Sequence, residues 1–311
     1  MAKIEHAIGV DVGGTKIAAG VVRLADGAIL ARRLQPTAPQ RGGRAVLDDV
    51  IQLAQSLLAE SRELGVSAGA VGIGLAELVS PHGEVLSAAT IDWLRQDVAG
   101  AIQRATQLDA RIDADVRAAA LAEARYGAGM GRQVFLYVTV GTGISACLVI
   151  DGVPFTGARG LTGTFASSPM FAPAKTGDLE FGPTLEAFAS GLGLPEQFRR
   201  IRPSFKGDAR EVLRIADEEH QNEVKLLVYS AGVTLGRGIG NLVNMLDPEV
   251  VVLGGGLGLN ERYTVLIETG LRQQVWSRLH KDIPVLKAQL GADAGLVGAA
   301  ACVTLPGRGS E

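Results

Sequence analysis

Twice in this chain an apolar strand runs into a short turn of glycine and threonine and returns as a second apolar strand: AIGVDVGGTKIAAGVV over residues 7–22 and VFLYVTVGTGISACLVI over residues 134–150. Alternation on both sides of a glycine-bearing turn predicts a β-hairpin. Each hairpin is followed by an Asp-Gly pair, Asp26–Gly27 and Asp151–Gly152, a sequence that reverses a strand tightly. Each then opens a mixed α/β stretch. The recurrence predicts a duplicated α/β architecture with a ligand between the halves. A chain of 311 residues is long enough for two domains. We expect an N-terminal α/β domain over 1–116 and a C-terminal one over 117–294, with the closing helix, about 295–311, able to pack back on the first.

Between the hairpins, Val46, Val50, Leu53, Leu57 and Leu58 have the spacing of an amphipathic helix over 45–64. AGAVGIGLAEL follows as a buried strand, a helix is expected near 94–107, and DARIDADVRAAALAEARYGAG passes from a strand end into an alanine-rich helix capped by Gly127. After the second hairpin, helices are predicted near 184–191, 209–218 and 221–244, DPEVVVLGGGLG is a strand emptying into three glycines, and AGLVGAAACVTL is a closing helix. Residues 157–182, rich in Gly, Ser, Thr and Pro, read as irregular and as a place for substrate contacts.

Composition excludes several classes of function. Hydrophobic residues make up 47% and charged residues 20%, which is globular. The net charge of −3, without a basic run, argues against nucleic acid. Asp11, Lys16 and four glycines interrupt the apolar stretch 7–23, so it reads as neither signal peptide nor membrane span, and the chain reads as cytoplasmic. Two cysteines, Cys147 and Cys302, sit in apolar runs as expected of buried thiols. The 41 glycines cluster beside apolar runs, which points to backbone approached closely, often by a ligand.

Those clusters carry the chemistry. Gly13 and Gly14 let a turn aim successive N–H groups at an anion, Thr15 adds a hydroxyl, and Lys16 adds a point charge, although a lysine leaving a turn commonly faces solvent. Asp11 would repel phosphate unless a metal intervenes, so its expected work is to hold Mg²⁺ through water. Asp-x-Gly-Gly alone also fits an ordinary tight turn. Gly141, Thr142 and Gly143 form a second such turn, and Gly254, Gly255 and Gly256 a third, at the carboxyl end of a strand where α/β proteins gather ligands. Three glycine turns at three strand ends make a nucleotide the economical reading. Phosphoryl transfer then needs a base, and Asp115, at a strand–helix junction, fits best; an N-cap is its bland alternative and Asp113 its nearest rival.

The order of these motifs resembles the ROK family of sugar kinases and repressors. It comprises an Asp-x-Gly-Gly-Thr hairpin, an Asp before an Ala-rich helix ending Gly-x-Gly, a Gly-Thr-Gly hairpin, LEAFASG at 185–191 and LGRGIGNLVNMLDPEVVVLGGGL at 235–257. The resemblance implies an actin-like, ribonuclease-H-related duplicated two-domain ATPase fold with ATP and sugar in the interdomain cleft. It implies that Asp115 is the catalytic base, Asp11 and Gly13–Thr15 the first phosphate site, Gly141–Gly143 the second, and Gly254–Gly256 the adenosine site. It also makes a homodimer possible, with the helical stretch 221–244 as one candidate support.

The departures from the family concern the sugar. Where its hexokinases carry Asn before the catalytic Asp, this chain has Ala114; where they carry Gly-Glu-x-Gly-His, it reads GTFAS, with Thr164 and Ser167. Ala76 and Glu77 replace a Pro-Gly pair, ATIDW substitutes Asp92 for a glycine before Trp93, and Glu186 survives as an acceptor for substrate hydroxyls. KTGDLEFGPTLE has no cysteine, so no structural zinc is expected. Losing several polar sugar contacts, each worth roughly 1–3 kcal/mol when left unpaired, disfavours plain glucose. The expected acceptor is a modified hexose or pseudo-sugar, such as an amino sugar resembling kanosamine or a C7 cyclitol. An ordinary hexokinase and a catalytically silent sensor are the alternatives. A DNA-binding repressor is disfavoured because Asp11 lies too near the N-terminus for an added helix-turn-helix domain.

Overall fold

The computed structural model describes residues 4–93, 96–173, 179–218 and 222–306. The chain divides into two compact units, one of Met1–Gly131, Val149–Thr162 and Ala292–Glu311, the other of Arg132–Leu148 and Gly163–Gly291.

The first unit is built on β1 (His6–Val12), β2 (Lys16–Arg23), β3 (Ala28–Pro36), α1 (Gly43–Glu63), β4 (Ala68–Leu75), α2 (Val98–Thr106), β5 (Asp109–Ala114) and α3 (Asp115–Tyr126). The sheet order is β3-β2-β1-β4-β5. The first three strands are antiparallel and β1, β4 and β5 run parallel. Helix α1 forms where the apolar spacing places it: Val46, Leu47, Val50, Leu53, Ala54 and Leu57 are buried on one face. Each of the Val and Leu side chains stabilises by about 1.5–3 kcal/mol when fully buried. Asp97 caps α2 by accepting from Gly100 N at 2.9 Å. Leu94 and Arg95, in the stretch expected to begin this helix, lie outside the described residues.

The second sheet has the order β12-β11-β6-β7-β8. Its chain order is β6 (Val134–Val140), β7 (Ile144–Ile150), β8 (Val153–Pro154), β9 (Pro169–Pro173), β10 (Leu179–Thr184), α4 (Leu185–Ala189), α5 (Gly193–Ile201), α6 (Ala209–Glu218), α7 (Asn222–Leu246), β11 (Val250–Gly254), α8 (Gly255–Gly258), α9 (Glu261–Gln274) and β12 (Val285–Lys287). Helix α10 (Ala294–Cys302) returns to the first unit. Read from the third strand inward, both sheets follow one plan, a three-strand meander whose first strand is extended by two parallel neighbours. The duplication expected from the two hairpins is thus present in the topology. At the second Asp-Gly pair, Asp151 and Gly152 have φ of 49° and 74°, the left-handed pair that a twisted hairpin turn demands.

Two expectations need correction. The stretch 157–182 is not irregular throughout, because β9 and β10 pair antiparallel. Nor is it a ligand that approaches every clustered glycine: a Cβ on Gly9 or Gly72 would strike the backbone of α10 at Leu296 or Ala299, and one on Gly298 would strike Ala118 in α3. They let helix α10 lie directly on β1, β4 and α3. In the second unit Gly236 and Gly270 do the same for the crossing of α7 and α9. Helix α7 is also long and apolar enough by composition to span a membrane, but half of that window is buried in the second unit's core.

Candidate functional site

In the first unit the residues singled out by sequence gather at the carboxyl end of the parallel strands. Val12 ends β1, and Gly13 N–H donates to Lys16 O at 3.0 Å to close the turn. That bond engages the Gly13 amide, whereas those of Gly14 and Thr15 make no hydrogen bond among the described residues. None of Gly13, Gly14, Gly141, Gly143, Gly254 or Gly256 has positive φ; Gly255, at +78°, does. Left-handed angles are therefore used only at Gly255, whereas at Gly14 and Gly143 the missing side chain makes room for a neighbour. A Cβ on Gly14 would lie 2.8 Å from Thr90 Cγ2, and one on Gly143 2.5 Å from Glu186 Oε2. Thr37, which sequence reasoning passed over, is buried and braces the first turn, with Oγ1 donating to Gly13 O at 2.6 Å and its N–H to Thr15 O at 3.1 Å.

Asp11, Glu77 and Asp115 form an acidic group near that turn. Asp11 lies against Gly295, in the first turn of α10. Its carboxylate has no hydrogen bond or ion pair among the described residues. Burial raises its pKa to about 6, opposed by Lys16, whose exposed ammonium is held nearby. Asp115 begins α3, and its Oδ1 accepts from Val116 N at 2.6 Å. Burial first, then the charge of Asp11, raise its carboxyl to about 7; Glu77 adds to the rise and Arg117 opposes it. The rival Asp113 is committed elsewhere. It is buried, ion-paired with Arg117, and accepts from Ala114 N at 2.8 Å. Arg117, also buried, donates to the carbonyls of Val79 and Gly160 at 2.6 and 3.3 Å. Among the described residues Asp115 has no such pairing, and it is half-buried.

The remaining sugar-side candidates differ in what they touch. Ala114 is buried and offers no polar side chain. Asp92 is exposed, with its carbonyl packed where a Cβ on Gly43 would be. Glu77, expected to contact substrate, is instead buried: Oε1 accepts from the amides of Thr90 and Ile91 at 2.7 and 2.9 Å, and Oε2 from Ala89 N at 2.9 Å and from the Ser87 hydroxyl. Its acceptor positions are filled by the loop, which corrects the sequence reading.

In the second unit, Gly141 N–H donates to Gly143 O at 2.9 Å, and the Thr142 and Gly143 amides make no hydrogen bond among the described residues. Gly191 N–H and Leu192 N–H brace the turn through Gly141 O and Thr142 O at 2.8 and 3.2 Å. Glu186, in the first turn of α4, accepts from Ile144 N at 2.7 Å, so one of its oxygens already belongs to this turn. The third turn meets the second at Val140, whose backbone lies where a Cβ on Gly255 would be. Thr164 and Ser167 are exposed on a 3-10 turn at Phe165–Ser167 that packs on α4. Of the stretch expected to lack a zinc site, 175–186, residues 175–178 lie outside the described residues.

A duplicated meander with two parallel neighbours, carrying glycine turns after the first strand of each sheet, defines an actin-like, ribonuclease-H-like ATPase fold. The chain matches the ROK family over residues 7–305 and belongs to it. It is 30% identical over 302 residues to the N-acetylmannosamine kinase of Escherichia coli O139:H28 (strain E24377A / ETEC), covering 94% of this chain and 96% of that one. Among solved structures it is similar to the ROK hexokinase from Thermus thermophilus, with 32% identity, TM-score 0.78, and 95% and 97% of the two chains covered. It is also similar to a ROK family glucokinase from Streptomyces griseus in complex with glucose and AMPPNP, with 28% identity, TM-score 0.77, and coverage of 96% and 98%.

Proposed function

We propose that this chain, an ATP-dependent sugar kinase, transfers the γ-phosphoryl of ATP to a primary hydroxyl of a modified hexose or pseudo-sugar, such as an amino sugar or a C7 cyclitol. The observation that carries the reading is Asp115: a half-buried carboxylate without an ion pair, at a strand–helix junction, with a pKa raised to about 7. A base poised near the working pH is the most effective proton acceptor. Asp115 takes the proton of the attacking hydroxyl, and the Gly13–Lys16, Gly141–Gly143 and Gly254–Gly256 turns receive the nucleotide and its developing charge.

Magnesium fits the residues present. Asp11 is an unpaired carboxylate in a desolvated place, which costs free energy unless a cation is near. Among the described residues no cluster of three or more His, Cys, Asp or Glu side chains is arranged to hold a metal directly; the ion would be carried mainly by phosphates and reached by Asp11 through water. Bound there, the ion supplies neutralisation of phosphate charge.

For the acceptor, Ala114, Thr164 and Ser167 offer fewer hydrogen-bonding groups than the family's Asn, Glu and His, and an N-acetylmannosamine kinase stands among the relatives. An ADP-release assay with Mg-ATP against glucose, N-acetylmannosamine, free amino sugars and cyclitols tests this reading. A modified sugar or cyclitol should exceed glucose in kcat/KM. Glucose far ahead of all others would refute the substrate class, and turnover with none would favour the silent sensor.

A further inference from the structure

The arrangement around Glu77 assigns a role to a residue that touches neither the nucleotide turns nor the reacting carboxylate. Glu77 sits just past the carboxyl end of β4, where Ala76 N–H still reaches Val12 O at 3.2 Å and so continues the β1–β4 pairing by one residue. The residue is 7% exposed, and no ion pair to it occurs among the described residues. A buried carboxylate without a cation is costly unless its lone pairs are filled. Here three consecutive loop amides, Ala89, Thr90 and Ile91, and the Ser87 hydroxyl fill them. Amides converging on one anion form a nest that supplies the missing positive potential. Ser87 is fixed in turn, its Oγ accepting from Leu78 N at 2.9 Å.

The loop so organised carries Thr90. Its Oγ1 donates to Ala76 O at 3.1 Å, which turns its methyl Cγ2 toward Gly14, 2.8 Å from where a Cβ there would stand. The contact joins a residue of the loop to the turn whose Gly14 and Thr15 amides are free. We infer that Glu77 is a positioning residue: its buried carboxylate orders the Ser87–Ile91 loop so that Thr90 seats against Gly14 and holds the first glycine turn in its transfer geometry. This rests on the kinase reading for its catalytic consequence, but the loop order it describes exists without any substrate.

Glu77→Gln tests it, because an amide keeps the shape but offers one acceptor oxygen in place of two and points N–H groups at the Ala89 amide or the Ser87 hydroxyl. In the ligand-free full-length protein, backbone amides of 87–91 should exchange with deuterium at least tenfold faster, while those of β1 and β4 stay as slow as in the wild type. In the ADP-release assay, kcat should fall ten- to a hundredfold with the KM for Mg-ATP changed less than threefold, since alignment rather than contact is lost. A second variant pair isolates the Thr90–Gly14 contact: Gly14→Ala should lower kcat, and adding Thr90→Ser, which removes Cγ2 but keeps Oγ1, should restore most of the loss. Unchanged exchange over 87–91 in Glu77→Gln, or no recovery in the double variant, overturns the proposal. Wild-type turnover, measured alongside, tests the kinase reading separately.

Discussion

Replacing Asp115 by Asn removes the ionisable group but keeps an oxygen to accept from Val116 N–H, a 2.6 Å bond in the native protein. Burial, joined by the charges of Asp11 and Glu77, lifts the Asp115 carboxyl from its ordinary 3.8 to about 7. Between those values the folded protein holds a proton that the unfolded chain has released, so wild-type stability falls as pH rises through that window and is level above it. At about 1.36 kcal/mol per pKa unit, a shift of roughly three units corresponds to about 4 kcal/mol. Solvent reaching a half-buried carboxylate screens part of it, and we take ~2 kcal/mol as the working figure. About two thirds of the window lies above pH 5. Asp115→Asn should therefore gain roughly 1.3 kcal/mol of stability relative to wild type on going from pH 5 to pH 8, while losing turnover. Urea titrations of both proteins at the two pH values, with ADP release at pH 8, measure the two effects together. If the stability difference between variant and wild type is the same at pH 5 and pH 8, Asp115 is not a carboxylate held protonated by its surroundings. If the variant keeps wild-type rates, it is not the base.

The same ionisation should govern rate: kcat/KM should decline on the acid side of about pH 7, approaching tenfold per unit, and a profile level down to pH 5 would contradict Asp115 as the acceptor of the proton. Gly143→Ala should push Glu186 off the second turn, because the new Cβ would stand 2.5 Å from Oε2, and raise the KM for Mg-ATP well above wild type; an unchanged KM would refute the bracing role. Gly298→Ala should destabilise the first unit by about 3 kcal/mol or more, since the Cβ meets the backbone of Ala118 rather than a movable side chain, whereas Gly256→Ala, with Arg210 Nη2 3.7 Å away, should be near neutral in a thermal melt. Thr37→Val keeps volume but leaves the part-buried Gly13 carbonyl without its 2.6 Å donor, at a cost of roughly 1–3 kcal/mol in urea.

What the sequence determined by itself was whatever depends on neighbours along the chain. Alternating apolar residues around Gly13–Gly14 and Gly141–Gly143 specify two hairpins, because side chains on a strand repeat every two residues. The spacing from Val46 to Leu57 specifies α1, and the passage from ARIDA to the alanine run puts Asp115 at the start of a helix. The recurrence of the hairpin was enough to foresee the duplicated topology. Tertiary structure alone decided the matters that join residues distant in the chain. Gly9 and Gly72 are required by α10, and Gly298 within α10 by α3, across more than a hundred residues of chain, so a clustered glycine in the sequence does not say whether ligand or helix approaches it. Asp113 and Asp115 are indistinguishable by spacing, and Arg117 separates them by pairing with Asp113 against Val79 and Gly160. Glu77 reads in the sequence as a polar group for substrate, yet its partners stand ten to fourteen positions on, in a loop without periodicity. The physical reason is common to all three: hydrogen-bond saturation and van der Waals exclusion are properties of atoms brought together by the fold, and periodicity along the chain carries no record of them.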